Sequence, residues 1–256
     1  MGSEIGSDES APKDCLHLYL SPHFDDAVLS CGGGIWEQTR QGIPVEVWTV
    51  CAGDPPPGPL SPEALHCHRV WGTGTAEQTV ALRRREDEAA NRAIRAAWKH
   101  LSLPDCIYRR SPQGDPLYPE EVSVPPHVLE SDLDQKIATE IREGLKPEDQ
   151  LACPLAIGGH VDHLLTRTAT RRLGRPIWYY ADIPYLFRHP EALAPATHDL
   201  RATLCPISSD GLQAWLTGIA AHASQMGMLF SSEAEMQVAV RHYWEGLAGI
   251  QLWQAV

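Results

Sequence analysis

Two short strings carry most of the titratable chemistry of this 256-residue chain: His23-Phe24-Asp25-Asp26 and His160-Val161-Asp162-His163. A zinc hydrolase needs three protein ligands and an open position for water. Two imidazoles and one carboxylate meet that need. The chemistry also needs a base for the proton of the water and a donor facing the developing oxyanion. His23 and Asp26 are three residues apart, so at a strand-to-helix turn both can converge on one ion while Asp25 points towards water or substrate. His160 and His163 have the same spacing, and Asp162 is available to hydrogen-bond an imidazole from outside the coordination sphere. Asp25 or Asp26 equally suits a helix N-cap, and a lone histidine is more often a structural residue than a ligand. Two such strings at two strand ends favour the metal reading.

The elements that must position these strings follow from periodicity. A strand over residues 16–20 runs into the first string, then a helix-prone stretch interrupted or tightened by Gly32-Gly33-Gly34, then a buried strand over 44–52. This βαβ order implies a parallel sheet with a right-handed crossover. Further helices are expected over 76–99, 127–145, 164–173, 209–224 and 233–246, with strands over 105–110, 150–156, 177–180 and 203–207. Residues 53–74 and 111–126, rich in Pro and Gly, read as long loops. The alternation predicts an α/β fold, a three-layer sandwich around a mainly parallel, Rossmann-like sheet. Ligands in such sheets bind beyond the C-terminal strand ends, where both strings fall.

Composition narrows the function classes. A hydrophobic share of 43% permits a substantial core for one domain over 14–256, behind a polar, acidic tail over 1–13 expected to be disordered and without signal-peptide character. A formal charge of −12 disfavours nucleic acid and anionic membranes as partners and permits a neutral or cationic small substrate. No apolar run is long enough to span a bilayer. The seven cysteines are odd in number and widely spaced, with no C-x-x-C, which points to free thiols in a reducing cytoplasm. Sheet-edge strands and Pro-rich loops leave a homo-oligomer open.

SPHFDD followed by a Gly-rich turn, with GGHVDH far downstream, resembles the PIG-L/LmbE family of zinc-dependent N-deacetylases. The family's motifs are usually written P-H-P-D-D-E and H-x-D-H. The resemblance covers both motifs and the βα order of most of the chain, and it implies an LmbE-like fold. It implies that His23, Asp26 and His163 bind the metal, Zn2+ first and Fe2+ as the alternative. It implies that Asp25 is the general base, that His160 stabilises the oxyanion or protonates the leaving amine, and that Asp162 tunes a neighbouring histidine. The implied substrate is a small N-acetylated sugar, N-acetylglucosamine or a conjugate of an amino sugar. Phe24 replaces the usual proline and is expected to close the pocket more tightly; Ala27 replaces the usual glutamate.

Secondary candidates follow. In Arg83-Arg84-Arg85 the family pattern suggests one arginine reaching the sugar, taken here as Arg84, although a solvated helix face explains the run equally. Tyr180 and Asp182, at the end of a strand and in the loop after it, are expected at the substrate edge or, equally, in core and turn packing, and His222 to Gln225 resembles an S-Q element framing the pocket. His66 and His68 make an H-x-H read as a solvated loop. Competing readings are a metallo-β-lactamase, for which Gly158 stands where a histidine is needed, and a non-haem iron oxygenase, which expects a jelly roll. Another metal-dependent amidohydrolase also remains open. A sugar- or nucleotide-binding module without chemistry lacks its phosphate-loop motifs.

Overall fold

The computed structural model describes residues 15–255, so the tail expected over 1–13 lies outside the described residues. In chain order the elements begin with β1 (His17–Ser21), α1 (Asp26–Arg40), β2 (Val45–Thr49), α2 (Pro62–Trp71) and α3 (Ala76–Ala93). Next come β3 (Ala97–His100), α4 (Leu133–Glu143), β4 (Gln150–Pro154), α5 (Val161–Arg171) and β5 (Trp178–Tyr180). The remainder is α6 (Tyr185–Arg188), α7 (Leu193–Thr197), β6 (Leu200–Pro206), α8 (Ser209–Ala220), α9 (Met226–Leu229), α10 (Glu233–Leu247) and β7 (Gly249–Ala255).

Among the described residues seven strands form one sheet in the order β3-β2-β1-β4-β5-β7-β6. β3, β2, β1, β4 and β5 are mutually parallel, whereas β7 runs antiparallel to β5 and β6 antiparallel to β7. The chain winds outward from β1 through β2 to β3, then returns to β4 on the other side of β1. The order therefore reverses between β1 and β4, which pair directly, Tyr19 opposite Ala152. The loops leaving these two neighbouring strands carry the two chemical strings. This is the switch point at which such sheets hold ligands. Right-handed crossovers place α1, α3 and α8 in one packed layer and α4 with α5 in the other.

The glycines of α1 serve contact rather than interruption. The helix runs unbroken through them, and a Cβ at Gly32 would lie 2.7 Å from Cδ1 of Trp215. The indole is fixed, because it is fully buried and its Nε1–H donates to the Val28 carbonyl at 2.9 Å and that of Leu29 at 3.1 Å. Close approach of α8 to α1 thus depends on a missing side chain.

Several expected boundaries change. The loop expected over 53–74 contains α2, whose N-cap Ser61 accepts from the Ala64 N–H at 3.1 Å, with Pro62 in the first turn and Gly72 left-handed at the end. The helix expected over 76–99 stops at Ala93; Arg95 turns left-handed and β3 pairs with β2. The strand expected over 105–110 is one 3-10 turn, Cys106–Tyr108, closed by the Asp105 side chain. The helix expected from 127 begins at Leu133 after a separate 3-10 turn. β7 was not anticipated, although Ile250, Leu252 and Trp253 are buried.

An isopropyl group at Gly32 is forced into the fixed Trp215 ring, which its Cβ alone already meets at 2.7 Å. Gly32→Val should cost about 1–3 kcal/mol through overpacking, read as a lower thermal midpoint. An unchanged midpoint would show that α8 can retreat freely.

Candidate metal centre

The turn after β1 is built by its own side chains. Ser21 Oγ donates to the His23 carbonyl at 2.5 Å and accepts from the Ala27 N–H at 3.0 Å. The His23 N–H donates to Asp26 Oδ2 at 2.7 Å. Asp26 then stands between two imidazoles. His23 Nδ1 faces its Oδ2 at 3.1 Å, and His163 Nε2, from the first turn of α5, faces its Oδ1 at 3.3 Å. The outer nitrogen of each ring meets another carboxylate: His23 Nε2 lies 3.1 Å from Asp162 Oδ2, and His163 Nδ1 lies 2.6 Å from Asp182 Oδ1.

Paired imidazoles, each backed by an outer carboxylate and each aiming its inner nitrogen at a shared third ligand, form the donor set of a mononuclear hydrolytic metal site. His23, Asp26 and His163 are all buried at the foot of a cleft. The residues present fit a divalent metal.

The electrostatics agree. Burial alone would lower His163, but Asp26 and then Asp182 outweigh it and hold it up at about 10. Burial likewise opposes protonation of His23, and the nearby charge of Asp105 with bonds to Asp162 and Asp26 raises it well above the usual range. Burial would raise Asp26, yet His163 and His23 hold its carboxyl well below the ordinary value. The pocket is thus built for positive charge. Asp25 behaves differently: burial and then its neighbour Asp26 push its carboxyl up, with Arg83 opposing. Burial, reinforced by His23 and His163, lowers His160 to about 3, so its imidazole is neutral.

A cleft of about 140 Å³ opens onto this cluster, with His23, Asp25, Asp26, His160 and His163 in its wall. Another cleft, of about 310 Å³, lies at the sheet face between Tyr19, Trp178 and Leu252 and gathers no paired acid and base. Arg83, not Arg84, reaches the chemical cleft. Its Nη1 donates to Asp105 Oδ2 at 3.1 Å, its Nη2 lies 4.0 Å from Asp25 Oδ1, and its guanidinium sits 4.6 Å from the Trp71 ring. Arg84 instead donates to the Ala52 carbonyl at 2.7 Å and pairs with exposed Asp54.

Tyr180 and Asp182 also depart from a substrate role. The Tyr180 hydroxyl donates to the Leu20 carbonyl at 2.7 Å inside the core, and Asp182 accepts from the Ile157 N–H at 2.9 Å while holding His163. Phe24 is buried in a second apolar cluster with Trp71, Cys106 and Tyr118, beneath the cleft rather than closing it. His68 is tied to the Tyr108 hydroxyl at 2.7 Å and to the Gly74 carbonyl, so the H-x-H does not gather a metal. His222 is buried, and burial lowers it to about 4 with Asp25 opposing; Gln225 lines the cleft.

Sequence reasoning missed Asp105 and Arg109. Arg109 connects the centre to the loops: its Nη1 pairs with Asp162 Oδ1 at 2.6 Å and its Nε with Glu130 Oε1 at 2.6 Å. Glu130 in turn accepts from the Tyr118 hydroxyl at 2.6 Å. All four side chains are buried.

Comparison with known proteins adds the following. The family model described as PIG-L, GlcNAc-PI de-N-acetylase, matches residues 18–173. A 2'-N-acetylparomamine deacetylase of Niallia circulans is 30% identical over 241 residues, which covers 86% of this chain and 84% of the relative. The zinc-inhibited form of teicoplanin deacetylase Orf2 superposes with a TM-score of 0.79 at 28% identity, covering 94% of this chain and 98% of that one. The A40926 pseudoaglycone deacetylase Dbv21 superposes with a TM-score of 0.70 at 26% identity, covering 95% and 97%.

Removing Arg109 would leave Asp162 and Glu130 buried without their cation. Arg109→Leu should destabilise the fold by about 3–5 kcal/mol in denaturant titration. A change within about 0.5 kcal/mol, the scale of a neutral surface substitution, would contradict the network.

Proposed function

The chain belongs to the PIG-L family and is an N-deacetylase by kind, and from that premise we propose that it hydrolyses the N-acetyl amide of an amino sugar or sugar conjugate, releasing acetate and a free amine. The observation that carries this reading is Asp26 shared between His23 and His163, with Asp25 beside it and 4.0 Å from Arg83 Nη2. His23, Asp26 and His163 are assigned as ligands, in one deacetylase domain spanning 14–256. When bound, a divalent ion, zinc first and Fe2+ as the alternative, supplies Lewis acidity to the amide carbonyl and to water.

The side chains supply the rest. Asp25 takes the proton of the attacking water, and its upward-shifted carboxyl suits it to pass that proton to the departing amine. Arg83 lies against Asp25 and limits that shift. His160 Nδ1 accepts from the Asp162 N–H at 3.2 Å, which leaves the proton on Nε2. A neutral imidazole in that tautomer donates to the oxygen that gains charge, which is its role here in preference to that of an acid. Asp162 and Asp182 act through the histidines: each fixes a ring so that one nitrogen faces Asp26. Asp105 and Arg83, paired in the cleft wall, are placed to meet sugar hydroxyls. The free cysteines support a reducing compartment such as the cytoplasm. No helix among the described residues is long and apolar enough to cross a membrane.

Asp25→Asn keeps the shape and removes the base. Acetate release from N-acetylglucosamine and 2'-N-acetylparomamine should fall by about 10²–10⁴-fold, with bound metal unchanged by elemental analysis. Full activity in this variant would remove Asp25 from the role.

A further inference from the structure

α2 presents one face to the cleft. Glu63, Cys67 and Trp71, each four residues from the next, all line it. The start of the helix is held in place: the Glu63 N–H donates to the Pro119 carbonyl at 2.9 Å, and Ser61 caps the first turn and donates to the Ile107 carbonyl at 3.2 Å. The Cys67 thiol donates to Glu63 Oε1 at 3.6 Å, which turns the carboxylate along the cleft face of the helix.

The charges of the cleft wall do not balance. Asp25, Asp26, Asp105 and Glu63 face it, and Arg83 is its one guanidinium or ammonium group among the described residues. Arg83 is engaged by Asp105 and Asp25. A divalent ion beside Asp26 and Asp25 would answer the two deepest carboxylates and leave one negative charge unmatched. Among the described residues Glu63 has no lysine, arginine or histidine in salt-bridge contact, unlike Asp25, Asp26 and Asp105. A half-buried carboxylate in a cleft where carboxylates outnumber guanidinium groups draws in a cation and gives it a charge-assisted hydrogen bond.

We propose that Glu63 is a specificity-determining residue that binds an ammonium group of the substrate, so that the enzyme prefers N-acetylated sugars carrying further free amines over neutral N-acetyl sugars. This rests on the deacetylase reading above. Trp71, one turn beyond Cys67, is buried in the same wall and holds the Arg83 guanidinium against its ring. A neutral N-acetylglucosamine unit offers Glu63 only hydroxyls, which gain far less from a carboxylate than an ammonium does.

The test compares wild type with Glu63→Gln, which keeps size and hydrogen bonding and removes the charge. Two substrates are used: 2'-N-acetylparomamine, whose remaining amines are ammonium groups at neutral pH, and neutral N-acetylglucosamine. The variant should raise KM for the cationic substrate at least tenfold with kcat within twofold, and leave KM for the neutral one unchanged. Added salt should raise the wild-type KM for the cationic substrate and narrow its gap from the variant. Equal effects on both substrates would mean that Glu63 reads a hydroxyl, and no effect on either would mean that it reads nothing; both overturn the proposal. Calorimetric binding of paromamine keeps the question separate from the reaction. If neither substrate releases acetate, the deacetylase reading fails, while weaker paromamine binding by Glu63→Gln still supports the charge contact and equal binding still rejects it.

Discussion

Asp26 shares its two carboxylate oxygens between His23 and His163 at the dry end of the sheet, and the arrangement around it follows from that sharing. Buried carboxylates are costly unless a cation or hydrogen-bond donors answer them. Asp25, Asp26, Asp105, Asp162 and Asp182 are all buried here. Arg83 answers Asp105, Arg109 answers Asp162, and His163 answers Asp182. Asp26, between His23 and His163, and Asp25, 4.0 Å from Arg83, are the carboxylates left facing the place of an ion. The same excess keeps Asp25 an effective base and turns the inner nitrogens of His23 and His163 towards Asp26.

Two cores with different tasks support the cluster. The larger one, between the sheet and its helices, fixes the ends of β1 and β4 side by side, and with them the two strings. The smaller one, built from Phe24, Trp71, Cys106, Tyr108, Tyr118 and Val161, lies under loops that have no strand to hold them. It lets those loops carry Asp105 and Arg109 inward. The string Asp162–Arg109–Glu130–Tyr118 crosses this core and makes the orientation of a ligand histidine depend on a loop far away in sequence.

Much of this was legible in the sequence, for identifiable reasons. Ligand spacing and strand ends are local properties, so His23, Asp25, Asp26, His160 and His163 come together in the expected place. Choosing Arg84 over Arg83 ignored helical phase. Val80, Arg83, Asp87 and Ala90 share the buried face of α3 at helical spacing, and Arg84 lies about 100° round from Arg83. The start of α2 was written in Ser61-Pro62-Glu63, but the prolines around it read as loop. Asp182 could not be assigned from sequence, because its partner His163 leaves a different strand, and only the β4–β5 pairing makes them neighbours. Arg109 was hidden for the same reason, since its partners Asp162 and Glu130 lie on two distant segments.

Metal binding tests the centre most directly. Calorimetric titration of chelator-treated protein with zinc, joined to elemental analysis, should find one tightly bound equivalent per chain in wild type and none in Asp26→Ala, with Asp182→Asn about 10–100-fold weaker. Wild-type protein that holds no ion tightly, or an Asp26→Ala variant that binds as wild type does, would contradict the account.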